Sequence, residues 1–444
     1  MHFACCNAPK ERAALAASSD RGDSNAQSGK PEGGRNNLDL LSGIRVLSFN
    51  HFFMGPAGIQ YLGDLGADVI SVEPIGGAFQ RKWGGANKQV DGQTMLQLAA
   101  NRNKRSLALD LKSSAGIEIA RKLAATADVL GENYRPAVMK KLGLDYEAVR
   151  AINPKIIYAA ASGFGQTGPY ADRPGQDLLI QALSGLAAIN GKEPDGARAV
   201  GVSAADHHGA ALFAMGILAA LVRRARTGQG CRVDVSLLSS AIDLQLESFT
   251  CYLNGAKPAS VRQPRHIAGW YFGAPYGIYG TADGHLALSL SALTMVGEAI
   301  DLPALAGIGD AEAYERREEI ADQIAARLLE RPTAAWIEAL TRHGVWHAPV
   351  NDYADVVADP QVQHNNSFIT VAGATGAPVT LVRHPVRYDG AAPDVSLPPQ
   401  ALGAQTREIL KEIGYDDTKI DNLAANGVVG LPQPGTAGKP SAAA

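Results

Sequence analysis

The run AVGVSAADHHGAALFAMGILAAL, Ala199 to Leu221, places an acid and two histidines, Asp206, His207 and His208, where an otherwise apolar helix begins. Three chemistries suit those residue types. A metal site is the weakest, because adjacent helical side chains diverge by about 100° and no His-x-x-x-His spacing accompanies them. A helix cap is the plain reading, since an aspartate oxygen accepts the free N–H groups of a first helical turn. A covalent nucleophile is the sharper one. Free N–H groups and the helix dipole favour an ionised carboxylate. A partly desolvated carboxylate at the rim of a buried apolar helix is a usable nucleophile for acyl transfer. Cap and nucleophile are compatible.

Two further stretches carry polar chemistry. SGFGQTGPY, Ser162 to Tyr170, is either a tight turn or a source of backbone donors at Gly163 and Gly165 for an oxyanion or a bound carboxylate. NRNKRS and ENYRP set Arg102, Lys104, Arg105 and Arg135 beside predicted strand ends, as solvated charge or as partners of nucleotide phosphates. Glu73 ends a predicted strand where an acid holds the ribose of a dinucleotide. The first loop, however, has Phe52, Phe53 and Met54 where G-x-G-x-x-G would be needed, so the NAD signal fails.

The elements that position these residues read as an α/β protein. LSGIRVLSF is a buried strand, AGIQYLGDLGA a helix after the loop NHFFMGP, and DVISVEP a second strand. RSLALDL, DVLGEN and KIIYAAASGFG continue as strands. Between them come SAGIEIARKLAATA, with Ser114 as a candidate cap, and PAVMKKLGLDYEAVRAIN. This alternation predicts a parallel, Rossmann-like sheet. The expected division is a disordered tail over 1–37, a large domain over 38–255, a linker over 256–274, a small α+β domain over 275–345, a return to the large domain over 346–430 and a flexible tail over 431–444. The small domain opens on a hairpin with Asp283-Gly284 at its turn.

Composition narrows the class. A net charge of −3 gives no electrostatic reason to expect nucleic acid or an anionic membrane. The longest apolar run, Ala210 to Val222, is shorter than a membrane span. Cys5, Cys6, Cys231 and Cys251 are too few and scattered for a disulfide framework, which fits a cytoplasmic protein with no metal site.

In this order, LSGIRVLSF, GPAGIQYLGDLGADVISVEP, NRNKRSLALDLK, ADVLGENYRPAVMKKLGLDYE, NPKIIYAAASGFGQTGPYADRPGQD, GVSAAD, GILAALVRRARTGQG and VDVSLLSSAI resemble the class III CoA-transferases, the family of formyl-CoA transferase and carnitine CoA-transferase. The likeness spans roughly residues 38–428. It implies that Asp206 is a nucleophile that attacks an acyl-CoA thioester. An aspartyl–acyl anhydride and then an aspartyl-CoA thioester follow, with CoA as a substrate and no permanently bound cofactor. It implies CoA contacts at His51, Phe52, Phe53, Met54, Lys104, Asn133, Tyr134 and Lys141, and a second acid at Asp177, which either orients groups at the site or caps the helix LLIQALSG. It also implies a homodimer of two interlocked rings.

Departures from the family pattern shape the substrate expectation. Phe53 stands where formyl-CoA transferase has a glutamine, and that enzyme's glycine-rich covering loop has no counterpart in SVRQPRHIAGWYFGAPYG. Both argue against formyl and oxalyl groups. The family's racemases use a histidine where this chain has Gln176, and glutamine cannot shuttle a proton at neutral pH. The expected activity is therefore transfer of CoA from an acyl-CoA to a carboxylic acid. Arg262, Arg265 and His266 are candidates for the distal carboxylate of a diacid such as succinate. A 2-methylacyl-CoA racemase and a non-catalytic CoA-binding protein stand as the alternatives.

Overall fold

The apolar runs become the strands of one central sheet. In the computed structural model, which describes residues 38–192 and 195–432, β1 (Arg45–Phe49) has Val46, Leu47 and Phe49 wholly buried, as strands covered on both faces require. The tail expected at 1–37, and all but the first two residues of the one expected at 431–444, lie outside the described residues. Helix α1 (Met54–Asp64) starts inside the segment read as a loop. It leads to β2 (Asp68–Glu73), which pairs parallel with β1 from Arg45↔Asp68 to Ser48↔Ser71. A short ribbon, β3 (Gln89–Val90) and β4 (Gln93–Thr94), precedes α2 (Met95–Ala100). β5 (Arg105–Leu109), α3 (Ser114–Thr126) and β6 (Val129–Glu132) follow. The cap of α3 is Ser113, not Ser114: its hydroxyl accepts the Gly116 N–H at 3.0 Å. The single helix expected after β6 is two, α4 (Pro136–Lys141) and α5 (Tyr146–Ile152), before β7 (Ile157–Ser162).

Beyond β7 come α6 (Asp177–Leu183), α7 (Leu186–Ile189), α8 (Ala204–Thr227), β8 (Cys231–Ser236), α9 (Leu237–Asp243) and α10 (Leu246–Leu253). β9 (Gly277–Gly280) and β10 (His285–Leu288) form the expected hairpin, and β11 (His347–Pro349) adds a third antiparallel strand. A second hairpin, β12 (Phe368–Ala372) with β13 (Pro378–Val382), packs Val379 and Leu381 onto Leu98 of α2. β14 (Val429–Gly430) then returns to the central sheet. That sheet has the order β14-β5-β2-β1-β6-β7-β8 and is parallel except for β14, so the mixed α/β architecture with a parallel-dominated sheet is as expected.

α8 is longer than its apolar run suggests. By length and composition alone it is the one described helix able to cross a bilayer. Here Ala205, Ala210, Phe213 and Ile217 are buried in the core. The helix is not buried all round: Met215 and Val222 are 60% and 57% exposed. α1 crosses α8 at close range because glycines meet there. A Cβ on Gly58 would lie 2.9 Å from the Ala210 carbonyl, and one on Gly209 would lie 2.9 Å from Met54 Cε. This approach sets the first turn of α1 beside the first turn of α8.

Candidate active site

At the start of α8 the cap position is Ser203, which makes no side-chain cap bond, and Asp206 is the third helical residue. Asp206 is thus not the cap. Its own backbone N–H is instead satisfied by Asp177 Oδ1 at 3.0 Å. Asp177 Oδ2 accepts Gln181 Nε2 at 2.5 Å, so Asp177 caps α8 from across the site rather than its own helix α6. The Asp-His-His triplet disperses. His207 packs its ring 4.5 Å from Phe53, His208 Nε2 meets Asp243 Oδ2 at 2.7 Å, and Asp206 turns to the Met54 N–H of α1. The three side chains have three different partners, as their angular spread requires.

Asp206 lines a cavity of about 650 Å³ together with Ser203, Gln176 and Asp177. His51, Phe52, Phe53 and Met54 supply one wall, and Asn133, Tyr134 and Arg135 another. These walls are tied together. Asn133 Nδ2 donates to the His51 carbonyl at 2.7 Å, and the His51 N–H donates to Asn133 Oδ1 at 2.9 Å. Tyr134 lies 5.1 Å from the His51 ring. Phe52 is held at φ 59°, a costly conformation for an aromatic residue, and its ring sits 4.4 Å from Phe79.

Gly163 also lines the cavity, and its reason is space. A Cβ there would stand 2.7 Å from the Gly175 Cα, so residues 164–174 form a loop pinched at its base by two glycines. Gly165 lies outside the lining, and its N–H is spent on Ser162 Oγ at 3.0 Å. The oxyanion reading of Gly165 therefore has no free donor behind it.

Electrostatically the cavity floor is acidic and poorly solvated. Burial, and secondarily the Asp177 charge, push the Asp206 carboxyl up to about 7, against the Met54 N–H that lowers it. The expectation that helix N–H groups would favour the ionised form is reversed, because desolvation outweighs them. Burial also holds His51 down at about 4, so its ring is neutral. His207 is lowered for the same reason.

Several expected ligands lie elsewhere. Lys104 is 3% exposed, and its ammonium donates to the carbonyls of Pro56 and Ala100 at 2.7 Å each and to Asn101 Oδ1 at 3.2 Å. It braces α1 against α2 and cannot face a phosphate. Arg102 is ion-paired with Asp64 at 2.7 Å, and Arg105 with Asp68 at 2.8 Å. Glu73 is paired with Arg81 at 2.6 Å. Lys141 is exposed at the end of α4, outside the cavity lining. Arg262, Arg265 and His266 are also outside it, with the Arg265 carbonyl accepting Lys192 Nζ at 2.8 Å and the His266 ring stacked on Tyr279. Conversely, Trp83, Leu96, Leu178, Leu237 and Arg173 line the cavity unpredicted. Only Arg173, four residues before Asp177 in a glycine-rich turn, had a local signal that could have found it.

Comparison with known proteins gives the family. Residues 41–406 match the model of CoA-transferase family III. The succinyl-CoA:glutarate CoA-transferase of Mus musculus is 35% identical over 413 residues, covering 90% of this chain and 93% of that protein. A succinate–glutarate CoA-transferase of Agrobacterium fabrum is 34% identical over 388 residues, 84% of this chain and 95% of its own length. The crystal structure of a CAIB/BAIF family protein from Brucella suis superposes with a TM-score of 0.73 at 31% identity, over 84% of this chain and 99% of that one. A parallel sheet ending in one acid-floored cavity, and sequence likeness along nine-tenths of the chain, come together in one assignment: this protein belongs to the class III CoA-transferase family and is a transferase that moves CoA between an acyl-CoA and a carboxylic acid.

Proposed function

We propose that the chain exchanges CoA between two dicarboxylic acids, with Asp206 as the covalent carrier. The observation that carries this is the position of its carboxyl: half-buried, lining the cavity, and with no ion pair to a cation among the described residues. In the carboxylate form an Asp206 oxygen attacks the thioester carbonyl, the C–S bond breaks, and CoA leaves as thiolate with an aspartyl–acyl anhydride behind it. The thiolate then attacks the Asp206 acyl carbon and expels the first acid as carboxylate, giving an aspartyl-CoA thioester. The acceptor carboxylate attacks that thioester and expels the thiolate, which takes the new acyl group and frees Asp206. No step consumes water, and the apolar side chains of Phe53 and Leu237 in the lining disfavour hydrolysis of each activated intermediate.

The named activities of the mouse and Agrobacterium relatives support succinyl-CoA as donor and a five-carbon diacid as acceptor. Arg135 and Arg173 are the cavity's arginines, the groups available to the CoA phosphates and to a second carboxylate. Incubation with succinyl-CoA in the absence of acceptor, followed by intact-mass measurement, tests the carrier. The wild type gains the mass of CoA less water, while D206N stays unmodified and loses turnover by about a thousandfold or more. An adduct on D206N would remove Asp206 from the mechanism.

The same reading includes a homodimer. α6, α8 and α10 leave Leu178, Leu183, Met215, Leu246 and Leu253 exposed, an apolar surface that a second copy would cover. Sedimentation at micromolar concentration should give twice the chain mass; a monomer would refute this part alone.

A further inference from the structure

Glu132 ends β6, the strand beside β1 in the sheet, and is 3% exposed. Among the described residues no cation forms an ion pair with it. Its Oε2 accepts the Tyr134 N–H at 2.8 Å, two residues along its own chain. The bond spans the point where the chain leaves the strand, and the two residues after Glu132, Asn133 and Tyr134, line the cavity. Asn133 in turn clips both the N–H and the carbonyl of His51, and three residues later the same loop gives the Met54 N–H to Asp206. One buried carboxyl thus stands behind both walls of the cavity.

We propose that Glu132 is a positioning residue that sets the CoA-binding loops through its hydrogen bond to Tyr134. The inference rests on the CoA-transferase reading above and adds to it a group that never meets the substrate. The environment suits a neutral acid. Across the sheet Glu132 is in register with Ala160 of β7, and Ala160 with Asp234 of β8, so the charges facing it are Asp234 and its partner Arg232, with Tyr158 and Tyr134 nearby. Burial dominates and pushes Glu132 up to about 8, with Asp234 adding to the rise and the Tyr134 N–H and Arg232 opposing it. Above that pH a buried, unpaired charge arises behind the loops, which must admit water or shift.

Titration of the full-length protein with CoA by calorimetry, at pH 7 and pH 9, tests this. Glu132→Gln keeps a neutral acceptor. It should bind CoA like the wild type at pH 7 and hold that affinity at pH 9, where the wild type weakens. Glu132→Ala should bind about tenfold more weakly at both, the cost of one lost buried acceptor, with the kinetic penalty in the KM for acyl-CoA rather than in kcat. Equal binding by Glu132→Ala, or a Glu132→Gln variant that weakens at pH 9 as the wild type does, would overturn the proposal. If Glu132→Ala does not fold, the wild-type and Glu132→Gln comparison decides alone. A wild type that binds no CoA at either pH would take down the transferase reading together with this one.

Discussion

Each end of helix α1 meets a desolvated aspartate, Asp206 of α8 at the first turn and its own Asp64 at the last, and the two are opposites. At its first turn Asp206 hydrogen-bonds the Met54 N–H and is pushed up to about 7 by burial and by a second acid. Its last residue, Asp64, is 1% exposed, yet its carboxyl is held below the ordinary range. Burial acts upward on both. The difference lies in the partners: Asp64 receives Arg102 Nε at 2.9 Å and Nη2 at 2.7 Å, Asn103 Nδ2 at 2.8 Å and His384 Nδ1 at 3.2 Å. Asp206 has one backbone donor and an acid for a neighbour. A fully solvated-by-protein carboxylate locks chain segments together, whereas an under-solvated one stays reactive.

The contrast can be broken at the locked end first. Arg102→Ala leaves Asp64 buried with much of its compensation gone, which costs about 3–5 kcal/mol of stability. A fall in the urea midpoint measures it, and a midpoint unchanged from wild type would mean that Asp64 is neutral in the native protein. At the reactive end, Asp206 and Asp64 pull stability in opposite directions with pH. The folded pKa of Asp206 is raised, so its contribution is complete below the unfolded value of 3.8 and is lost as pH rises through about 7. Asp64 is lowered, so its contribution is present above 3.8 and lost as pH falls through its folded value. D206N should therefore be more stable than the wild type at pH 8, though inactive, as read by thermal melts across pH. The smallest effect sharpens the cause. Asp177→Asn removes the acid that raises Asp206 but keeps an oxygen for the Asp206 N–H. The rising limb of the pH–rate profile, expected near 7 in the wild type, should move down by up to about one unit. A limb that stays in place would assign the whole shift to burial.

The central sheet was legible because its strands are continuous apolar runs bounded by loops, and Val46, Leu47 and Phe49 could go nowhere but inside. The start of α1 was not, because Phe53-Met54-Gly55-Pro56 resembles a turn until α8 is packed against it through Gly209. Asp206 was legible as a candidate through the residue type and the helix it opens. What it caps, and what caps it, were not, because Asp177 reaches it from 29 positions away. Lys104 shows the same limit in reverse. A cation beside a strand end looks available for a phosphate, and only the folded chain reveals three oxygens already around it. Trp83 and Leu96 join the cavity from the segment after β2 for tertiary reasons alone.

The abutting backbones of Gly163 and Gly175 make entry and exit of the intervening eleven-residue turn a single mounting point. Nothing at that point has a side chain to re-register when the turn changes. The turn that carries Arg173 into the cavity is therefore hung from one rigid base, and Asp177, two places beyond, is held in place by the same clasp.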